Sequence, residues 1–191
     1  MELPDQAVVT RQTEICEERL SFLNEVLRFT GHDLLSEVPG DARNVLWRVL
    51  IAGLDQNRGF AEESMAHTFQ EFRRFCQEYH VLPPSWSGLP ADASEKTLEL
   101  SYYRKAFGRA CCRRRFFTTA GGSVGLGPQT MRTGDVAVVL YGGDTPFILR
   151  YHGHANDYEF IGECYIDGIM FGEAVQKHRE EGREDVIFNI R

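Results

Sequence analysis

The chain has 191 residues, 42% hydrophobic and 26% charged, a globular composition that excludes a disordered chain. Its net charge of −7 argues against a nucleic-acid partner, because phosphates would be repelled overall. No run approaches the ~20 apolar residues of a membrane span, and MELPDQAVVTRQTE has no basic region followed by an apolar one, so neither a span nor a signal peptide is expected.

The first half has helical spacing. Ile15, Leu20, Leu23, Val26 and Leu27 can share one helix face, with Gly31 as the stop. A second helix starts at Asp41, whose carboxylate can cap free amides, and repeats Val45, Leu46, Val49 and Leu50. A third carries Met65, Phe69, Phe72, Cys76 and Tyr79, and HVLPPSWSGLP ends it because proline lacks the amide donor. A fourth is expected from Ser94 to about Arg113, burying Leu98, Tyr102 and Ala106.

The second half changes period. RRFFTT, DVAVVLY, PFILRY and YEFIGECYI are short, rich in β-branched and aromatic residues, and separated by glycine-containing turns. AGGSVGLGP reads as a hairpin turn with strand glycines; it has no Lys-Ser/Thr of a phosphate loop and no dinucleotide spacing. The tail VQKHREEGRED reads as a solvated helix end. The fold class is α+β: an N-terminal helical region, 1–112, packed on a C-terminal antiparallel β-meander or small β-barrel, 113–191, the two together forming one compact domain.

Several residue groups are candidates for chemistry. Arg109, Arg113, Arg114 and Arg115, with Arg104 and Lys105, form the basic cluster; it reads as a ligand carboxylate or phosphate site, or as the partner of acidic neighbours. His152 and His154 flank Gly153 and can face one metal ion, although a solvent-exposed turn needs no metal. Glu163 and Glu173 are an acid/base pair of the glycosidase kind if their separation permits. The five cysteines, Cys16, Cys76, Cys111, Cys112 and Cys164, lack paired spacings, which gives neither a disulfide framework nor a zinc site and suggests a reducing, cytoplasmic setting. Cys111 and Cys112 read as buried thiols rather than nucleophiles. Trp47, Trp86 and the tyrosines 141, 151, 158 and 165 line a ligand pocket or fill the core.

RRRFFTTAGGSVGLGP, GDVAVVLYGGDTPFILR and YEFIGECYIDGIMFGEAV together resemble the C-terminal region of fungal heterokaryon incompatibility proteins, and LWRVLIAGLD resembles that family's tryptophan-containing helix. The resemblance spans about Trp47 to Val175. It implies a scaffold whose shared residues turn and pack a sheet: Gly125, Gly127, Pro128, Asp135, Phe147, Leu149, Ile161 and Tyr165. This chain has Asp167 where the family often has His, and Phe171 where it often has Asp, which suggests a more apolar pocket. The family's N-terminal incompatibility domain is expected to be missing.

From that resemblance two functions are expected. One is a cofactor-independent cyclase or isomerase of pericyclase type, possessing no metal and acting on an apolar terpenoid or polyketide intermediate of fungal secondary metabolism. It would fold the substrate in an apolar cavity and polarise a carbonyl by hydrogen bonds. Its candidate catalytic donors are Arg150, Tyr151, His152, Tyr158 and Tyr165; its substrate-binding residues are Trp47, Phe147, Phe171 and Arg115. The alternative is a non-catalytic interaction module that partners an incompatibility protein or a second copy of itself.

Overall fold

A computed structural model describes residues 6–30, 40–85, 89–153 and 157–191, with side chains described in α1 from residue 17 and in α2 from residue 45. The class is α+β. The helices α1 (Gln6–Phe29), α2 (Gly40–Leu50), α3 (Met65–Tyr79) and α4 (Glu95–Ala110) come first. The strands β1 (Arg114–Thr118), β2 (Val124–Pro128), β3 (Val136–Val138), β4 (Phe147–Tyr151), β5 (Asp157–Glu163) and β6 (Tyr165–Ile166) follow. A last helix, α5 (Glu173–Glu180), precedes the short strand β7 (Asn189–Ile190). The chain divides into two units: one holds the helices as far as Trp47 together with Leu54–Ala110, the other Arg48–Gly53 together with Cys111–Arg191. Among the described residues, no helix is long and apolar enough to cross a membrane.

In the helical unit the apolar spacing becomes a core. Leu23, Val26 and Leu27 of α1 are buried, as are Leu46 and Trp47 of α2 and Phe69, Phe72 and Cys76 of α3. Each such side chain contributes about 1.5–3 kcal/mol by leaving water. Phe72 stacks at tilted angles on Tyr103 at 5.0 Å and on Phe107 at 5.6 Å, an aromatic cluster between α3 and α4. Tyr103 Oη donates to the Trp47 carbonyl at 3.0 Å. Gly31 and the side chain of Asp41 lie outside the described residues.

Three sequence expectations fail here. Tyr79 is 55% exposed, because α3 ends there and the chain turns through left-handed His80; its ring rests on Phe75 at 4.6 Å instead. In α4 the buried face is Leu100, Tyr103, Ala106 and Phe107, one step round from the expected Leu98 and Tyr102. Ser94 does open the helix, its Oγ accepting the Thr97 amide at 3.3 Å. The helix stops at Ala110, short of Arg113, whose φ of +53° is not helical.

In the β unit, β1 and β2 form a hairpin in the register Arg114↔Pro128 to Thr118↔Val124, and β2 pairs on its other side with β6. Gly125 sits where β2 meets β6: a Cβ there would collide with the Tyr165 carbonyl oxygen and the Phe117 ring, so a side chain cannot be accommodated. A second sheet has the order β3-β4-β5-β7, a three-strand antiparallel meander to which β7 adds in parallel. YEFIGECYI, expected as one strand, is split between the two sheets. Gly162, at φ +144°, follows a bulge, and the Cys164 amide leaves β5 to bond the Pro146 carbonyl at 2.9 Å. Met131, Ile148, Cys164 and Ile166 form a core cluster, with Phe117, Ile161 and Ile169 packed against it. The tail is helical in α5, with no buried residue.

Candidate functional site

The four-stranded sheet has two chemically different faces. Alternation along β4 and the register Leu149↔Phe160, Arg150↔Glu159, Tyr151↔Tyr158 sort the side chains. One face carries Phe147, Leu149, Tyr151, Tyr158 and Phe160, continued by Val136 and Val138, which pair with Leu149 and Phe147. The Phe147 and Phe160 rings lie 5.4 Å apart, Tyr151 and Tyr158 also 5.4 Å, and Phe188 meets Tyr158 edge-on at 5.1 Å. Tyr151 is 50% and Phe160 45% exposed.

The other face carries Arg150, His152 and Glu159. Arg150 is committed: Nε and Nη2 each donate to Asp135 at 2.9 Å, and Nη2 also donates to the Thr130 carbonyl at 3.0 Å. Asp135 is nearly buried, and Oδ2 also accepts the Arg132 amide at 2.7 Å, so a fork-to-carboxylate bond pins the β2–β3 connection to β4. The Asp135 hydrogen bond pushes the Arg150 pKa up. His152 Nε2 lies 3.3 Å from Glu159 Oε2, a half-exposed imidazole–carboxylate pair. Arg150 and His152 therefore share one face, and Tyr151 and Tyr158 the opposite one.

Tyr165 belongs to a third group. Its hydroxyl donates to Asp167 Oδ1 at 3.0 Å, and Arg48 grips the same carboxylate through Nε at 2.7 Å and Nη2 at 3.3 Å. Burial first, then the Asp167 charge, holds the Tyr165 hydroxyl far above the usual phenol range, so it stays a proton donor committed to Asp167. Gly53, at φ +68°, packs on this ring, where a Cβ would lie 3.2 Å from Cε2, a tight contact at a backbone angle that favours glycine.

The remaining candidates are dispersed. Trp47 is fully buried in the helical core, and Phe171 is 71% exposed ahead of α5. Arg115 is exposed on β1. Three arginines of the basic cluster bond backbone carbonyls. Arg104 bonds the Pro83 carbonyl, Arg109 the carbonyls of Asp55 at 2.5 Å and Gln56 at 3.2 Å, and Arg114 that of Glu163 at 2.5 Å. Cys111 is buried, its thiol donating to the Leu50 carbonyl at 3.2 Å, whereas Cys112 is exposed, contrary to expectation. Burial pushes the Cys76 and Cys164 thiols up to about 12, which keeps both protonated and unreactive. Glu173 Oε2 accepts the Phe171 amide at 2.7 Å, a turn role. His154 and Trp86 lie outside the described residues.

Sequence reasoning missed a pocket of about 460 Å³ in the helical unit, formed by the loop from Asp55 to Ser64, the first turn of α3 and the second turn of α4. Glu99 and Tyr102 reach it because residues three apart share a helix face. The local signal was the tight loop LDQNRGF. Asp55 Oδ1 accepts the amides of Asn57 at 2.7 Å and Gly59 at 2.8 Å, and Leu54 bridges Phe60.

Comparison with known proteins gives one family. Residues 35–187 match the Het-6 beta-barrel domain. The chain is similar to heterokaryon incompatibility protein 6, OR allele, of Neurospora crassa, at 39% identity over 70 residues. That match takes in 36% of this chain and 10% of the relative, so the chain aligns with only a small part of the curated protein. No solved structure matches. Because that match takes in most of its length, the chain belongs to the Het-6 beta-barrel domain family.

Proposed function

We propose that this chain is a non-catalytic interaction module that binds a longer heterokaryon incompatibility protein. The observation that carries the reading is the apolar sheet face on which Tyr151 and Phe160 stand half exposed beside Tyr158 and Phe147. Half-exposed aromatic rings on a rigid sheet are the usual anchors of protein interfaces. Exposed Ile190, paired with Tyr158 across β5 and β7, extends the apolar surface. The choice of partner follows from the similarity to an incompatibility protein of which this chain matches only 10%. Titration calorimetry with a longer incompatibility protein should give saturable binding that Phe160→Glu abolishes while melting temperature holds. Absence of binding, or equal binding by the variant, defeats the reading.

A second reading is the cofactor-independent cyclase, favoured by the His152–Glu159 pair at 3.3 Å. There the carboxylate would orient the imidazole to polarise a carbonyl or move a proton. His152→Ala would then cut turnover of a terpenoid or polyketide intermediate by about a hundredfold; undiminished turnover removes His152 from that chemistry.

A further inference from the structure

The pocket of the helical unit has a chemical character of its own. At about 460 Å³ it falls within the roughly 300–1,000 Å³ of small-ligand sites. Asp55, Glu62 and Glu99 put three carboxylates on its wall, and His67 is its one basic lining residue among those described. Arg109 bonds the loop's Asp55 and Gln56 carbonyls and so braces the wall, and Arg58, in the same loop, is exposed and is not among the lining residues. Asp55 is itself oriented by the two amides it accepts.

Two observations besides the charge give the ligand its shape. Phe60, at the mouth, is 72% exposed although the Leu54–Phe60 bridge holds its backbone, and Tyr102 and Met65 add further apolar wall. An exposed ring beside carboxylates attracts an organic cation through its face. Further, the described residues contain no cluster of three His, Cys, Asp or Glu side chains able to hold a metal ion. The carboxylates are spread round the cavity, which suits a cation with an extended body and separated positive charges better than a point charge.

We propose that this pocket binds an organic polycation of the aliphatic polyamine class, its ammonium groups on Asp55, Glu62 and Glu99 and its methylene chain against Phe60 and Met65. The site lies in the helical unit and does not depend on the interaction reading of the sheet face.

The test uses the full chain and spermidine, with binding followed by NMR at the His67 and Tyr102 resonances. The expected result is saturable shifts at both residues with a dissociation constant of about 1 mM or tighter. Glu99→Gln should weaken binding about fivefold, and Phe60→Ala about threefold. Glu184→Gln removes the same charge from an exposed tail position and should leave affinity unchanged. Diffuse shifts over the acidic surface that Glu184→Gln weakens as much as Glu99→Gln would mean general attraction to a chain of net charge −7, and would overturn the proposal. Unmoved His67 and Tyr102 resonances would overturn it too. Melting curves of Glu99→Gln and Phe60→Ala, both at exposed positions, separate lost binding from lost folding.

Discussion

The helical unit and the β unit are stabilised in different ways. The first relies on bulk: Phe69, Phe72, Tyr103 and Phe107 are fully buried, and the rings touch one another. The second relies on fit at particular atoms. Gly125 lets β2 approach β6, Gly53 clears the Tyr165 ring, and two Arg–Asp forks act as ties: Arg150–Asp135 joins β4 to the loop before β3, and Arg48–Asp167 joins the last turn of α2 to the residue after β6. Its apolar cluster is smaller, and an aromatic face of its four-stranded sheet remains partly in water. A unit held by specific contacts can leave such a face exposed, because its stability does not depend on burying every ring.

That contrast predicts a ranking of substitutions. Phe72→Ala should be the most damaging, costing about 4 kcal/mol through lost burial and a cavity between α3 and α4. Chemical denaturation would show it, and hydrogen exchange should accelerate most in residues 95–110. A cost under about 1 kcal/mol would mean the ring cluster is loosely packed.

Gly125→Ala should cost about 3 kcal/mol, because the new methyl has only the Tyr165 carbonyl and the Phe117 ring to displace. Hydrogen exchange should rise in β2 and β6; a neutral effect would contradict the close approach. Asp135→Ala comes next. It removes the acceptor of both Arg150 bonds and of the Arg132 amide, so the melting temperature should fall and the 130–136 connection should exchange faster. Phe160→Glu should be the mildest for stability, within about 0.5 kcal/mol, because the ring is already half exposed.

The weakest effect is one of pH. Asp185 accepts hydrogen bonds from Tyr141 and His178, and these hold its carboxyl below the ordinary 3.8. A depressed folded pKa means the contribution is complete above the unfolded value and is lost as pH falls through the folded one. Amide exchange in 183–188 should therefore quicken below about pH 4, and Asp185→Asn should flatten that dependence. An identical pH profile for the variant would show the tether is unimportant.

The sequence disclosed the helices, the hairpin and the meander, because periods of 3.6 and 2 are written in which residues are apolar. Leu23, Val26, Leu27, Phe69 and Phe72 were read correctly as core for that reason. In α4 the expected Ala106 is buried, but Leu98 and Tyr102 give way to Leu100, Tyr103 and Phe107, a series of similar spacing; only packing chooses between them. YEFIGECYI gave no sign of changing sheets, as a bulge at Ile161 is a matter of register.

The candidate residues were legible as types but not as groups. Arg150, Tyr151 and His152 are adjacent in sequence, yet alternation parts them, and their partners Asp135, Glu159 and Tyr158 come from other segments. The pocket at Glu99 was not legible, because its walls are brought together by three segments with no shared spacing. In the basic cluster, Arg109 and Arg114 bond backbone carbonyl oxygens, partners that composition does not disclose.

The most direct test is hydrogen–deuterium exchange of the chain alone and with a longer heterokaryon incompatibility protein. The interaction reading predicts added protection in residues 147–151 and 157–163, absent with Phe160→Glu, and unchanged exchange in residues 95–110. Protection confined to the helical unit, or none at a partner concentration that saturates calorimetric binding, would contradict it.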